Sequence, residues 1–448
     1  MSWVSDIAPG LPRNWAVTRV SNVADVQFSN VDKHTLDDEL PVRLCNYVDV
    51  YKNDRITADV PFMDASATAS EIERFEIQGG DVLVTKDSET PDDIAIAALV
   101  AESLPGILCG YHLAMIRPRS NRVRGEFIYW LHASKEFRGQ YEREAVGVTR
   151  FGLTQHSFLA ACLPLPPVDE QKRIATYLEA SCCAIDSAVV AKREQLSRLD
   201  ELRESIVEDA ILGGMDKKAR IAAVEQDWIR STPAHWQVVR IKRVIARMDY
   251  GISESTEQEG QFAVLKMGNL QGGEVRFTNI EFVDTVNDAL ILEPGDILYN
   301  RTNSADQVGK AALFTGSRTD KVTFASYLVR LRANHRITPK FLNYVVNSNG
   351  FLSFARRLAI PSVQQSNLNS TRYGRMLVPL PTIEEQCAIC RHLDEKLAKL
   401  NTVVVALEEQ IGTLAAYRKS LIHECVIGQR RITEEDVNRV TAHAATLA

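Results

Sequence analysis

A chain of 448 residues, 45% hydrophobic and 25% charged, is too long for one ordinary core and too apolar for a disordered segment, so about three structural units are expected at roughly 150 residues each. The net charge of −6 excludes a uniformly basic protein, yet it hides an uneven distribution. Residues 1–163 carry 16 basic and 23 acidic side chains, 164–213 carry 6 and 10, 214–378 carry 22 and 15, and 379–448 carry 8 and 10. No run reaches the roughly 18 apolar residues of a membrane span, and Met1–Gly10 lacks a basic-then-apolar leader, so a cytoplasmic protein is expected. The eight cysteines are scattered and form no disulfide framework, and Cys387-Ala-Ile-Cys390 has no second pair with which to hold a metal.

Residues 1–163 open with short apolar runs at Val42–Leu44, Asp81–Thr85 and Ala114–Ile116 that read as strands, followed by a helical stretch over Gly125–Ser134. Polar residues beyond strand ends are placed to reach a ligand. In Thr85-Lys86-Asp87-Ser88-Glu89 the candidates are Lys86 and Ser88. Arg117, Arg119, Arg122 and Arg124 gather in one stretch of this otherwise acidic unit and suggest a phosphate clamp, and Arg150 stands near Thr154, Gln155 and His156.

Residues 164–213 change character. After Pro164-Leu165-Pro166-Pro167, apolar residues recur at heptad spacing, with Ile185, Val189, Leu196 and Leu199 on one seam together with Arg203, and Gly213-Gly214 suits the helix end. Some 44 residues at 1.5 Å each make a rod of about 65 Å.

Residues 214–378 return to strand-like segments at Ala263–Met267, Asp296–Tyr299 and Tyr327–Leu331 and a helical stretch at Pro339–Asn347. The loop Asn300-Arg301-Thr302-Asn303-Ser304 offers Arg301, Asn303 and Ser304, with Lys310 downstream; Arg and Asn can grip guanine and adenine edges bidentately. A second amide-rich loop holds Gln364 and Gln365, with Arg372 nearby.

Residues 379–448 reveal a duplication. Pro379-Leu380-Pro381-Thr382-Ile383-Glu384-Glu385-Gln386 repeats Pro164–Gln171 at an offset of 215, which also carries Val189-Val190-Ala191 onto Val404-Val405-Ala406 and Gly80-Asp81-Val82-Leu83 onto Gly295-Asp296-Ile297-Leu298. Pro12-Arg13-Asn14-Trp15 matches Pro233-Ala234-His235-Trp236 at 221. The second helix shows a stronger seam of Leu400, Val404, Leu407, Ile411, Leu414, Arg418 and Leu421, with Thr382 and Glu385 at capping-box spacing. Two such seams in one chain suggest antiparallel pairing, although each helix packing on its own domain would also satisfy the pattern. The fold class read from these elements is α+β, as four segments: 1–163, 164–213, 214–378, and 379–448 with a tail.

Catalytic motifs are absent: the sequence holds no Asn-Pro-Pro-aromatic run, no Gly-x-Gly-x-x-Gly, no P-loop and no HExxH. Pro164–Ala175, its copy at 379–389 and Gly295-Asp-Ile-Leu-Tyr-Asn-Arg-Thr302 resemble, in this duplicated arrangement over essentially the full length, the specificity subunits of type I restriction-modification systems. The resemblance implies two mixed α/β target-recognition domains separated by two long antiparallel coiled-coil helices, with pseudo-twofold symmetry. It implies a non-catalytic chain that reads a bipartite site in double-stranded DNA. Two methylation subunits and, in the full complex, restriction subunits are the implied partners. AdoMet, ATP and Mg²⁺ are expected in those partners and no cofactor in this chain. Cys387 and Ala388 stand where the first copy has Lys172 and Arg173, so the two helices are not expected to be equivalent. The competing expectation is a non-catalytic coiled-coil adaptor between proteins, which salt- and sequence-dependent DNA binding would exclude.

Overall fold

The computed structural model describes residues 10–119, 121–216, 218–362 and 365–447. Two long helices dominate, α1 over Val168–Gly213 and α2 over Ile383–Val426, close to the bounds the heptads predict. Packing divides the chain into two compact units and cuts through both helices: the first unit holds Met1–Lys192 with Glu408–Ala448, the second Arg193–Leu407.

In the first unit a five-stranded sheet has the order Ala24–Phe28, Leu113–Pro118, Val82–Thr85, Ala97–Val100, Arg55–Ile56. Strand Val82–Thr85 is buried along its length, which is why it reads as an unbroken apolar run. Its side chains alternate between two cores. Val82 and Val84 join Phe127, Ile128 and Leu131 of helix Gly125–Ala133. Leu83, with Ala98 and Met115, faces a three-stranded sheet of Met63–Ala67, Leu40–Cys45 and Ile107–Cys109. Each such aliphatic burial contributes about 1.5–3 kcal/mol.

The second unit repeats this plan. Strands Ile245–Tyr250, Leu328–Ala333, Asp296–Asn300 and Ala311–Leu313 lie in the corresponding order, extended by two short strands. Ile297 and Tyr299 pack with Phe341 and Val345 of helix Pro339–Val346, and Leu298 faces Leu265 and Phe324 of the smaller sheet.

The repeated sequence words now have physical reasons. Gly80 and Gly295 adopt φ of 91° and 93°, a left-handed turn that disfavours a Cβ, and the following Asp81 and Asp296 accept from the backbone N–H groups of Gln78 and Glu293. Gln171 and Gln386 are fully buried. Gln171 donates to the carbonyls of Arg122 and Pro166 and accepts from the Arg124 N–H; Gln386 donates to Arg336 and Pro381 and accepts from Thr338. Each therefore ties the root of a long helix to a loop of the globular part of its unit. Glu385 accepts from the Trp236 indole at 3.1 Å, whereas Glu170 takes Asn14 and Arg431 instead. Thr382 and Glu385 cap each other as their spacing predicts. Both helices end at a glycine seated on the entry tryptophan: a Cβ at Gly214 would stand 2.8 Å from Trp236, and one at Gly428 3.1 Å from Trp15.

Within the first unit, Arg418 pairs with Asp186 at 3.0 Å and Lys192 donates to Gln410 at 2.5 Å, so rising positions on α1 meet falling positions on α2 and the helices are antiparallel. Cys182 and Ile185 share a core with Leu421 and Cys425 there; in the second unit Ile211 shares one with Ile389 and Leu393. Ile185, Leu407 and Leu421 are buried on the seam, and Val189, Leu196, Leu199, Leu400, Val404, Ile411, Leu414 and Arg418 are half-buried. Arg203 is exposed at the edge of the seam, lining a cleft with Val207 and Leu397 of the two helices and with Tyr344 and Lys310. Between Arg173 and Lys192 the only charges are Glu179 and Asp186, so α1 does contain a stretch long and apolar enough to span a membrane, contrary to the reading of the sequence by runs. Its periodic apolar face, with Ile174, Leu178 and Ile185 in the first unit's core, accounts for that composition. After α2 the tail forms a further helix over Glu434–Leu447.

Candidate nucleic-acid interface

In the first unit Lys86 follows directly on the central strand. Its ammonium stands 4.9 Å from the Phe28 ring and 4.5 Å from the Tyr111 ring and donates to the Ser29 carbonyl. Burial pushes its pKa below the ordinary value. Beside it Asp87 accepts from Arg150 at 2.5 Å and lies 2.9 Å from His112 Nδ1. Arg150 belongs to a hairpin, Val146–Gly147 paired with Phe151–Gly152, which extends the Asp87–Ser88 strand and carries Val148 at 92% exposure. The structure thus brings Lys86 and Arg150, which the sequence placed in separate loops, to either side of Asp87. Ser88 is buried, and its hydroxyl is spent on the Thr90 carbonyl at 2.6 Å.

The second unit builds the same end. Arg301 lies 5.0 Å from the Tyr250 ring, whose hydroxyl meets Ser370 at 2.8 Å; the buried Nε of Arg301 and Oδ1 of Asn300 have no hydrogen-bond partner. Thr302–Asn303 pairs with Gln365–Asn367, and that strand with Ile360–Ser362, in the arrangement of the first unit's hairpin. Gln365 is exposed on this hairpin, whereas Gln364 lies outside the described residues. Asn303 accepts from the Ser304 N–H and Ser304 donates to Asp306, so both are engaged in shaping the loop. Arg372 is exposed and donates to the Leu358 carbonyl at 2.8 Å. Lys310 donates to Gln307 and lines the cleft that holds Arg203, apart from the Arg301 cluster in its lining.

The arginine stretch lies elsewhere. Residue 113 pairs with 85 and residue 116 with 82, so Arg117 and Lys86 stand at opposite ends of the same strand pair. Arg117 grips the buried Asp81 through Nε at 2.8 Å and Nη2 at 2.6 Å, and Arg332 grips Asp296 at 2.7 Å through both nitrogens. Arg117 is therefore one half of a repeated structural ion pair. Arg119 pairs with Asp25 at 2.7 Å, Arg122 donates to the Asn22 carbonyl, and Arg124 pairs with Glu126 at 2.9 Å. These four, read as one phosphate clamp, are drawn onto local acceptors beside the root of α1.

Sequence reasoning missed Phe28, Tyr111, Asp87 and His112 in the first unit and Tyr250 and Ser370 in the second. The edge strands carrying Phe28 and Tyr250 match at 222, not 215: the entry segment already stands at 221, and a register shift between Ile245 and Arg247 adds one residue more. A search allowing the offset to drift would have aligned the two aromatics. Among the described residues no group of three or more His, Cys, Asp or Glu could hold a metal, and all eight cysteines are free. The arrangement offers cations held over aromatic rings, amides and an exposed hairpin, the donors suited to base edges and phosphates.

Residues 12–188 match the type I restriction modification DNA specificity domain. Along most of its length the chain is similar to specificity subunits of type I restriction enzymes. It is 22% identical to the EcoKI specificity subunit of Escherichia coli strain K12 over 94% of this chain and 90% of that one, and 22% identical to the StySPI specificity subunit of Salmonella potsdam over the same shares. Its fold is shared with a chain from a structure of type I R-M system assembly and conformational transition, at a TM-score of 0.70, 17% identity and coverage of 93% and 98%. It is shared also with the HsdS subunit of Thermoanaerobacter tengcongensis, at 0.52, 18%, and coverage of 94% and 98%.

Proposed function

We propose that this chain is the DNA sequence-specificity subunit of a type I restriction-modification complex, with the globular part of each unit reading one half of a bipartite site. The observation that carries the reading is the duplicated end of the two sheets, where Lys86 over Phe28 and Arg301 over Tyr250 stand at matching positions beside matching hairpins. One scaffold presenting two different sets of donors suits two different half-sites. The chain contributes recognition and no chemistry: methylation subunits, two per chain, dock on the α1 and α2 region, restriction subunits join them, and AdoMet, ATP and Mg²⁺ belong to those partners. It works in the cytoplasm.

The test is methylation mapping of host DNA from cells co-expressing the chain with its methylation subunits. A two-part motif with a fixed gap is expected, and exchanging residues 1–163 or 214–378 for another recognition segment should change one half only. Assembly of the complex without any new motif would overturn the DNA reading in favour of a protein adaptor.

A further inference from the structure

Beside the Arg301 and Tyr250 end, the second unit has an open cleft of about 380 Å³ along the outer edge of strand Ile245–Tyr250. Its charged and hydroxyl lining is Lys242, Arg247, Arg375, Ser370 and Thr371; the rest is small or apolar, and no lining residue is acidic. Lys242, Arg247 and Arg375 are exposed, and only Arg247 has an ion-pair partner among the described residues, Asp249 at a loose 3.3 Å. The short helix Ser370–Arg375 packs on the strand, with Gly374 beside Met248 and Lys242. Ser370 also touches the Tyr250 hydroxyl, so the cleft is continuous with the polar end of the unit.

The first unit supplies an internal control. Strand pairing equates Arg247 with Asp25, since each faces the structural arginine of its own unit, Arg332 or Arg117. The matching short elements equate Lys242 with Ser21 and Arg375 with Ala160. At the three positions where the second unit has cations the first has none; its Asp25 is bound by Arg119, which also donates to the Ser21 carbonyl. In the first unit the arginine on this edge is neutralised by Asp25, whereas the second unit has no aspartate at that position.

We infer that this cleft is a sequence-independent seat for a DNA backbone phosphate, present in the second unit and absent from the first. The inference rests on the DNA reading above and adds a division of labour: the second unit supplies most of the nonspecific grip, and the first relies on it. Neutralising a phosphate releases condensed counterions, so the signature of such a seat is the slope of affinity against salt.

The experiment compares the full chain, assembled with its methylation subunits, with the triple variant Lys242→Gln, Arg247→Gln, Arg375→Gln. Equilibrium binding to a short duplex lacking the methylated motif is measured across a salt series. The slope of log affinity against log salt should fall by about 0.9, the contribution of the one phosphate that the variant no longer neutralises. The methylated motif should stay the same, and Arg247→Lys with Arg375→Lys should keep the wild-type slope because the charge remains. A triple variant with wild-type slope overturns the inference while leaving the DNA reading intact. A changed motif overturns it too, by making these residues base readers. If the unmodified complex shows neither salt-dependent DNA binding nor a motif, the proposed function itself fails and this inference with it.

Discussion

The two units share a sheet order, a hairpin, a glycine turn and an Asp–Arg pair, yet they differ where their edge strands meet the next strand. In the first unit Gln27 faces Met115. In the second, Asp249 faces Arg330, a fully buried arginine that also donates to the carbonyls of Ile291 and Ala289 and stands 3.6 Å from Asp296. The same backbone position thus accepts an apolar side chain in one copy and a charge network in the other. The difference teaches that the scaffold is specified by the shared turn and Asp–Arg pair, while the charge added beside it is an elaboration of one copy.

The largest expected effect tests that lesson. Arg330→Met alone leaves Asp249 without its buried partner and should destabilise the second unit by about 3–5 kcal/mol. Adding Asp249→Gln recreates the first unit's pair and should recover most of the loss, read by hydrogen exchange across strands 296–300 and 328–333. A double variant no better than the single would mean that the network, and not the shared frame, holds the second unit.

The units should also part company in acid. His132, fully buried and stacked against Tyr141 in the first unit, has its pKa pushed down to about 4 by desolvation. The folded ring takes a proton only near that value, whereas the unfolded ring takes one near 6.5, so protons favour unfolding in between. Stability of the first unit should fall by about 3 kcal/mol from pH 6.5 to 4, at roughly 1.36 kcal/mol per pKa unit. His132→Phe should flatten that part of the pH dependence of urea unfolding, and an unchanged profile would place the acid sensitivity elsewhere.

Next come the buried glutamines. Gln171→Ala and Gln386→Ala each strand one N–H and two carbonyls and should cost about 1–3 kcal/mol, in the first and second units respectively. Equal costs in chemical unfolding are expected; a large inequality would show that one helix root is held mainly by something else.

The smallest effect sharpens the comparison at the entry tryptophans. Partial burial alone would raise the Glu385 pKa, but hydrogen bonds from His235, Trp236 and Thr382 outweigh it and hold the group down to about 2. A carboxylate depressed in the folded state stabilises above its unfolded pKa, near 4.3, and loses that contribution as pH falls toward 2. Glu385→Gln should therefore lower the thermal midpoint of the second unit at neutral pH, with the gap closing through that window. A gap independent of pH would assign the effect to shape alone.

Much of the scaffold was legible because duplication prints it twice. The offset of 215 located the helix roots, the seam and the Gly-Asp turn, and each proved to be a packing or hydrogen-bonding necessity. The site was read less well, since side-chain partners distant in sequence leave no local mark. Arg117 looked like a free cation until Asp81, 36 residues away, was seen to hold it; Ser88 looked available until its burial was known. Arg332 and Asp296 repeat that pair at the same offset, so the structural role was written in the sequence and hidden by the neighbouring arginines. Phe28 and Tyr250 were hidden by an offset that had drifted from 215 to 222.

The division of the helices between the units also sets an order of assembly during synthesis. The second unit, Arg193–Leu407, is one continuous stretch and has all its parts once residue 407 has left the ribosome. The first must wait for Leu421, Ile422, Cys425 and Val426, which close a core begun by residues near the start of the chain. A message cut short just past residue 407 would thus leave its later-made half whole and its earlier-made half open, so that full-length translation is itself checked by the unit that was started first.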